Sequence, residues 1–597
     1  LHGRIVYVNS YKHPYKDVDF VIRHLLNFDA FCEQNKIADM NSDFTAVILA
    51  EAAKFATHQL DPLNQKGDLE HPILKDGKVI ETPQFAAAYQ EYVAQGWASL
   101  SASEEYGGQG LANLLSVACN EIWQSANMAF SLCPLLGQGA ITAIERHGSE
   151  YLKEQYLAKL ISGEWTGTMN LTEAAAGTDL AAIKTQAVYD DGQYKISGQK
   201  IFITWGDHQM AENIVHLVLA RLPDAPAGMK GISLFVVPKY LANEQGEYNI
   251  ENDVRCLSLE HKLGIHGSPT CVMSYGDNDG AIGYLVGEEH CGIRYMFSMM
   301  NHARQGVGVQ GLGVSERAYQ AALDYACERI QGSDKAGNAL KIVQFGDVRR
   351  MLMAMKSGAE AMRALCYYAG LEADREQASN SSDEKAQFAA QTAFLTPVVK
   401  GWSTELTQEM VSFAMQVHGG AGYIEETGVA QYVRDARILT IYEGTTGIQA
   451  LDFTQRKTLL DNAAQAQVMM EKIAQTCALN ELDENVKKAL NSALADAKQG
   501  VEYLLENPSQ ASFVANYYLQ MWGYTIAGWL MAKAHLAATK ELQIGAGDND
   551  YLTTKQVSCE FYCEHFLVRT QACLASIRAG GDSVMSLTEE QFFSHVN

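Results

Sequence analysis

The stretch Ile441-Tyr442-Glu443-Gly444-Thr445-Thr446-Gly447-Ile448-Gln449 sets one carboxylate beside a glycine, two hydroxyls, an amide and an aromatic ring. A single glutamate carries little information, because most carboxylates are solvated. Far upstream, Met169-Asn170-Leu171-Thr172-Glu173-Ala174-Ala175-Ala176-Gly177-Thr178-Asp179 gathers hydroxyls and small residues into a second loop. Either stretch alone is a weak signal; together they are specific.

Working outward, 597 residues exceed a single core and predict three or four domains. A hydrophobic share of 47% is that of a soluble globular chain. The net charge of -24 and a pI near 5.1 exclude nonspecific binding to nucleic acid or anionic lipid, since phosphates would be repelled. Leu1 to Phe20 carries Arg4, Lys12, His13, Lys16 and Asp17 and no apolar run, so no signal peptide is expected. The most apolar span, Tyr517 to Ala532, is short and holds Gln520, Gly523 and Gly528, which reads as a buried helix and not a membrane span. The 12 cysteines lack a disulfide rhythm, which fits a reducing cytoplasm. Cys559 and Cys563 with His565 have no second ligand pair, so no metal is expected.

The expected order is helical, β, helical, helical. Leu49, Ala52, Ala53 and Ala56 mark an amphipathic helix within a helical segment 1–165. Glu104 to Leu111 reads as a tight turn, since no strand precedes its glycines and no Lys-Ser/Thr follows them. Segment 166–290 reads as a β domain. Asp191-Gly192 joins strands at 185–189 and 194–196, and Ile214 to Ala220 and Ile232 to Val237 form two more strands, the last closed by Pro238. Segment 291–457 returns to helical period, with Ala318, Ala321, Ala322, Tyr325 and Arg329 on one face. Segment 458–597 is a further helical extension broken at Pro508 and at Gly545 to Asp548.

The paired stretches resemble the signatures of the acyl-CoA dehydrogenase family, whose members oxidise acyl-CoA thioesters with FAD. Gly198 to Gly206, Tyr325 to Arg329 and Gln416 to Gly422 resemble further family segments. The resemblance implies an α+β multidomain fold: an N-terminal helical domain, a middle β domain, a C-terminal helical bundle and an extra C-terminal helical domain. The leader Pro14 to Asp17, Val254 to His266, a helix start at Gly306/Gly308/Gly311/Gly313 and the long tail resemble a large bacterial subgroup, which includes methylthiopropanoyl-CoA and broad-range fatty acyl-CoA dehydrogenases.

The resemblance implies removal of an α proton and a β hydride, the proton by a desolvated carboxylate and the hydride by a flavin, since side chains offer no hydride acceptor. Glu443 takes the base position. Ala303 stands where some relatives place the base instead, and alanine cannot serve. Met169, Leu171, Thr172, Gly177, Thr178, Phe202, Thr204 and Thr445 fall at FAD-contacting positions, as do Arg329, Gln416 and Gly420 for the diphosphate and adenosine across a subunit interface. Thr178, Arg304, Tyr442 and Gly444 fall at substrate-contacting positions. Ala174 replaces a usual proline, Thr178 a usual serine and Gly332 a usual phenylalanine, so an aromatic cofactor contact is missing or supplied elsewhere. An electron-transferring flavoprotein as electron acceptor, a homodimer or higher homo-oligomer and a cytoplasmic location complete the expectation. An oxidase, or a noncatalytic nucleic-acid-associated relative, is the alternative; the latter would need a basic tail, whereas the C-terminal region mixes Glu506, Glu541, Asp548 and Asp550 among few bases.

Overall fold

The computed structural model describes residues 10–37, 40–545 and 547–596. The leader reading at residues 1–9, including Arg4, and Ala546 of the tail turn lie outside them. The chain forms two compact units that alternate along the sequence: Leu1–Ala52, Asn113–Glu121 and Val307–Asn597 make one, Ala53–Ala112 and Ile122–Gly306 the other.

The second unit is built on an eight-stranded sheet: β1 Trp165–Asn170, β2 Gln186–Asp190, β3 Gln193–Thr204, β4 Asn213–Arg221, β5 Ile232–Pro238, β6 Val254–Leu259, β7 Thr270–Tyr275 and β8 Ala281–Leu285. Their order is β6-β7-β3-β8-β5-β4-β1, with β2 also pairing β3 and β4. β1 runs parallel to β4, whereas β4 and β5 are antiparallel. Apart from Arg221, β4 and β5 are buried on both faces, which is why they read as continuous apolar runs and not as alternation. Asp191 and Gly192, both at positive φ, make the tight turn from β2 to β3. A short hairpin, Ile73–Lys75 with Lys78–Ile80, interrupts the helices expected before residue 165; its Asp76-Gly77 turn was a legible signal. Helix Met128–His147 is long and apolar enough to cross a membrane, and 72% of its most apolar window is buried within the protein.

The first unit is helical. Gly346–Ala378 and Ser382–His418 pack on each other, and Ala511–Ile544 packs on both. Gly306, Gly308, Gly311 and Gly313 do not start a helix; they lie inside the continuous helix Gly292–Glu328. The reason is close packing: a Cβ at Gly308 would stand 2.4 Å from Val399 Cγ1, and one at Gly311 2.7 Å from Thr407 Oγ1. That helix ends at Glu328, so Arg329 lies past the helical face assigned to it, and a hairpin, Ile330–Ser333 with Ala339–Lys341, follows. Trp522, Ile526, Trp529 and Leu530 of the tail are buried in their own chain, in helix Ala511–Ile544.

The leader is held by charge. Arg363 donates to Asp17 (2.5 Å), Glu121 (2.9 Å) and Glu316 (2.8 Å), all buried. Lys555 donates to Asp17 (2.6 Å) and Glu360 (3.0 Å), and the Tyr551 hydroxyl to Asp17 (2.8 Å). Asp17 is therefore a buried hub tying the N-terminal helix to the bundle and to the tail. Burial works against its ionisation, but Lys555 and Arg363 hold its carboxyl far below the usual range.

Candidate functional site

In the helical unit, Glu443 and Gly444 are consecutive residues in the left-handed region, at φ 54° and 91°. For a non-glycine residue such a conformation costs on the order of 1 kcal/mol and persists only where the surroundings enforce it. The enforcement is visible. Lys400 donates to the Gly444 carbonyl at 2.6 Å, the Gln449 amide to the Glu443 carbonyl at 3.4 Å, and the Tyr442 hydroxyl to Gln310. Thr445 caps the following helix, Thr446–Leu451, by accepting from the Ile448 N–H at 3.3 Å, and the Thr446 hydroxyl donates to Glu405 at 2.5 Å. Glu443 thus precedes the helix and is not one of its first-turn residues. Its side chain is half-buried beside Tyr442, whose phenol is pushed well up by burial and by the Glu443 charge.

Lys400, Gln310 and Glu405 were not singled out from sequence, whereas Gln449 is the amide of the 441–449 stretch. Lys400 had a signal: it is the lone charge in the apolar run Phe394 to Trp402, and it is fully buried. A charge so placed needs a buried acceptor.

The same unit brings together Tyr325 to Arg329 and Gln416 to Gly422, which lie far apart in sequence. The rings of Tyr325 and His418 stack with centroids 4.3 Å apart, and His418 also hydrogen-bonds the Ala414 carbonyl at 2.8 Å. His418 is buried and packs; burial lowers its pKa. Around this stack Arg329, Gln416, Gly419 and Gly420 are exposed, and a Cβ at Gly420 would meet nothing within 4 Å. At Gly332, φ 80°, a Cβ would stand 3.2 Å from the Phe345 ring, so the ring of Phe345 occupies the neighbourhood that a side chain at 332 would fill.

In the sheet unit the loop after β1 is latched to β3. The Ile201 N–H donates to the Thr172 carbonyl at 2.9 Å, and Lys200 donates to the Leu171 carbonyl at 2.9 Å and to Glu173 at 2.8 Å. Glu173 also accepts from the Lys184 N–H (2.6 Å), the Thr185 N–H (3.1 Å) and the Thr185 hydroxyl (2.6 Å). Burial works to raise the Glu173 pKa, but Lys200 and these donors lower it overall; burial brings Lys200 down to about 8 despite Glu173. Glu173 is thus a structural carboxylate that holds the loop. Met169 is buried in β1, Leu171 and Thr172 are half-buried, and Gly177 and Thr178 are exposed.

Where β3 meets β7, Cys271 pairs with Ile203 but Met273 with Lys200, so β3 holds one extra residue. At that bulge Phe202 takes φ 60° and turns its ring outward, 59% exposed. A large aromatic ring standing in water from a strained strand position is what a docking face for a flat ring requires. Thr204 pairs with Thr270 and is half-buried. Arg304 is buried within helix Gly292–Glu328, its guanidinium 6.0 Å from the Phe297 ring centre, and Ala303 beside it is buried too. These donors, the exposed ring and the bare glycines suit the acceptor-rich isoalloxazine and diphosphate of FAD.

Family models match almost end to end: the acyl-CoA dehydrogenase N-terminal domain at residues 44–164, middle domain at 168–277, C-terminal domain at 290–458, and an acetyl-CoA dehydrogenase C-terminal-like domain at 469–588. A 3-methylmercaptopropionyl-CoA dehydrogenase of Ruegeria pomeroyi is 44% identical over 591 residues, covering 97% of this chain and 99% of its own. The broad-specificity linear acyl-CoA dehydrogenase FadE5 of Mycobacterium tuberculosis is 31% identical over 98% of this chain and 100% of its own. Among solved structures, Caenorhabditis elegans ACDH-11 in complex with C11-CoA superposes with a TM-score of 0.76 at 23% identity, covering 95% of this chain and 94% of that one. With both signature loops in place and all four family domains matched in order, the chain belongs to the acyl-CoA dehydrogenase family of FAD-dependent oxidoreductases.

Proposed function

We propose that this enzyme converts an acyl-CoA thioester to its trans-2-enoyl-CoA, with Glu443 as the base that takes the α proton. The observation that carries this reading is the enforced left-handed pair Glu443-Gly444. Lys400 and Gln449 hold the main-chain carbonyls of Gly444 and Glu443, and Tyr442 is tied to Gln310, so a half-buried carboxylate is carried by a fixed, strained backbone. A solvated structural glutamate needs no such support.

The Glu443 N–H and its neighbours are the donors for the thioester carbonyl, where negative charge grows as the α proton leaves. Tyr442 and Gly444 shape the thioester position, and Arg304 and Thr178 serve the substrate. Met169, Leu171, Thr172, Gly177, Thr178, Phe202, Thr204 and Thr445 hold the flavin portion of FAD; Arg329, Gln416 and Gly420 take the diphosphate and adenosine of the cofactor bound to a second copy. Phe345 stands in for the aromatic side chain that Gly332 lacks. When bound, FAD supplies the hydride acceptor that side chains cannot provide. Exposure of Arg329, Gln416 and Gly420 supports a homodimer at least, with cytoplasmic location and an electron-transferring flavoprotein as acceptor completing the proposal. A thioether acyl-CoA is the first substrate to test, because the 44% identical relative is named for one.

The test is anaerobic mixing of FAD-loaded protein with straight-chain acyl-CoAs and a methylthio analogue. Flavin bleaching is followed by absorbance and the enoyl product by mass. Glu443→Gln keeps size and hydrogen bonding but cannot accept the proton. It is expected to bind FAD normally and to bleach about 10²–10⁴-fold more slowly. Bleaching at the wild-type rate would remove Glu443 from the mechanism.

A further inference from the structure

The helical unit holds an open cleft of about 320 Å³, lined among others by Leu26, Arg375, Lys472, Leu479, Trp529 and Lys533, and sharing no residue with the 441–449 loop. Three cations meet there on a chain whose net charge is -24. One carboxylate answers them. Glu372, wholly buried, accepts from Arg375 and stands 3.7 Å from the Lys472 ammonium. Lys472 also donates to the Tyr368 hydroxyl at 2.9 Å. Lys533 pairs with no acidic side chain among the described residues; its ammonium lies 5.1 Å from the centre of the Trp529 ring. Burial, together with the charges of Arg375 and Lys472, brings the Lys533 pKa down to about 8, and burial lowers that of Lys472.

Crowding cations that depress one another is costly unless something offsets the repulsion. Sequestering Glu372 beneath two of them leaves the mouth of the cleft positive. Part of the wall is apolar: Leu26 and Trp529 are buried, and the Trp529 indole N–H is already committed to the Thr476 hydroxyl at 2.8 Å. A volume of this size lies at the small end of ligand pockets.

We propose that this cleft binds a small organic anion, a carboxylate or phosphate head on a short apolar or aryl body. Lys533, Lys472 and Arg375 take the head, and Trp529 with Leu26 and Leu479 take the body. The site draws Leu26 from the N-terminal segment and its other residues from the bundle and the tail, so its occupant would tie the extension to the rest of the unit. The proposal does not depend on the acyl-CoA reaction.

Titration calorimetry on the intact FAD-loaded protein tests it, with phenyl phosphate as probe, benzoate as the carboxylate counterpart, and phenol and inorganic phosphate as the two halves. Saturable binding of phenyl phosphate or benzoate is expected, weakening as salt rises. Phenol and inorganic phosphate should each bind at least about tenfold more weakly, because each lacks one part of the match. Lys533→Met keeps the stem over Trp529, and should weaken probe binding about tenfold or more while flavin bleaching stays unchanged. If that variant does not fold, Lys472→Gln replaces it, and probe-dependent amide-exchange protection at Trp529 to Lys533 is read on the wild type. No saturable binding below millimolar probe, phenol binding as tightly as phenyl phosphate, or undiminished binding by the folded lysine variant would overturn the proposal.

Discussion

Replacing Lys200 by methionine tests how the loop after β1 is held. The ammonium is wholly buried and makes two contacts, 2.8 Å to Glu173 and 2.9 Å to the Leu171 carbonyl. Removing one partner of a buried pair costs about 3–5 kcal/mol in general. Here Glu173 keeps three donors, from Lys184 and Thr185, so its charge is not stranded. The lysine also carries a burial cost of its own, seen in a pKa brought down to about 8. Both facts move the estimate below that range, to about 2–3 kcal/mol, including about 1 kcal/mol for the Leu171 carbonyl left without its donor. If that energy holds the loop in its FAD-binding shape, FAD binding weakens by about 30–150-fold, at tenfold per 1.4 kcal/mol. Glu173→Gln should behave similarly, since it leaves a buried ammonium with a single carbonyl. The double variant should be no worse than either single one, because neither charge is then unpaired. The assay is fluorescence of FAD released on dilution, with amide exchange across residues 171–178 reporting the loop directly. Single variants that bind FAD within twofold of wild type, or a double variant whose loss equals the sum of the two, would refute the latch.

Two further outcomes follow from other pairs. His266 presents Nδ1 to the Asp68 carboxylate at 2.9 Å and Nε2 to the Lys262 carbonyl at 2.8 Å; with acceptors on both nitrogens the imidazolium is favoured, and its pKa is raised chiefly by Asp68. A raised folded pKa gives stability that is full below the ordinary histidine value of 6.5 and is lost as pH climbs through the folded one, so the melting temperature of wild type should fall across that window by more than that of His266→Gln, the difference reflecting about 1 kcal/mol at most for a partly exposed pair. Lys555→Met, which leaves Asp17 with Arg363 and Tyr551 and Glu360 with Lys356, should cost about 2–3 kcal/mol, below the general range for a stranded buried charge, and open helix Asn549–His565 to protease, with Asp17→Asn/Lys555→Met recovering part of the loss; unchanged proteolysis would show that the hub does not hold the tail.

Local chemistry made much of this protein readable as a string. The turn at Asp191-Gly192, the apolar runs of β4 and β5 and the period of the long helices depend on neighbours in sequence, and these agree with the structure. The two hairpins at 73–80 and 330–341 were missed because three- and four-residue strands carry too few residues for a period to show, although Asp76-Gly77 marked the turn of the first. The glycines at 306–313 misled for a different reason. A helix tolerates glycine where another helix presses close, and that pressure comes from Val399 and Thr407, about a hundred residues away in sequence. The site divides in the same way. Glu443, Thr172, Phe202 and Arg329 were legible as residue types in motifs, since their chemistry is carried by the side chain itself. That Glu443 is strained and held by Lys400 and Gln449, that Phe202 is thrown outward by a bulge, and that Glu173 is bound to Lys200 depend on pairings across the fold. So does the burial of Asp17, which in sequence is one more acid in a charged leader and in the fold is the acceptor for Arg363, Lys555 and Tyr551. A sequence fixes which groups are present; only the tertiary fold removes water from around them, and the energy of a charge or a strained bond is set by what replaces that water.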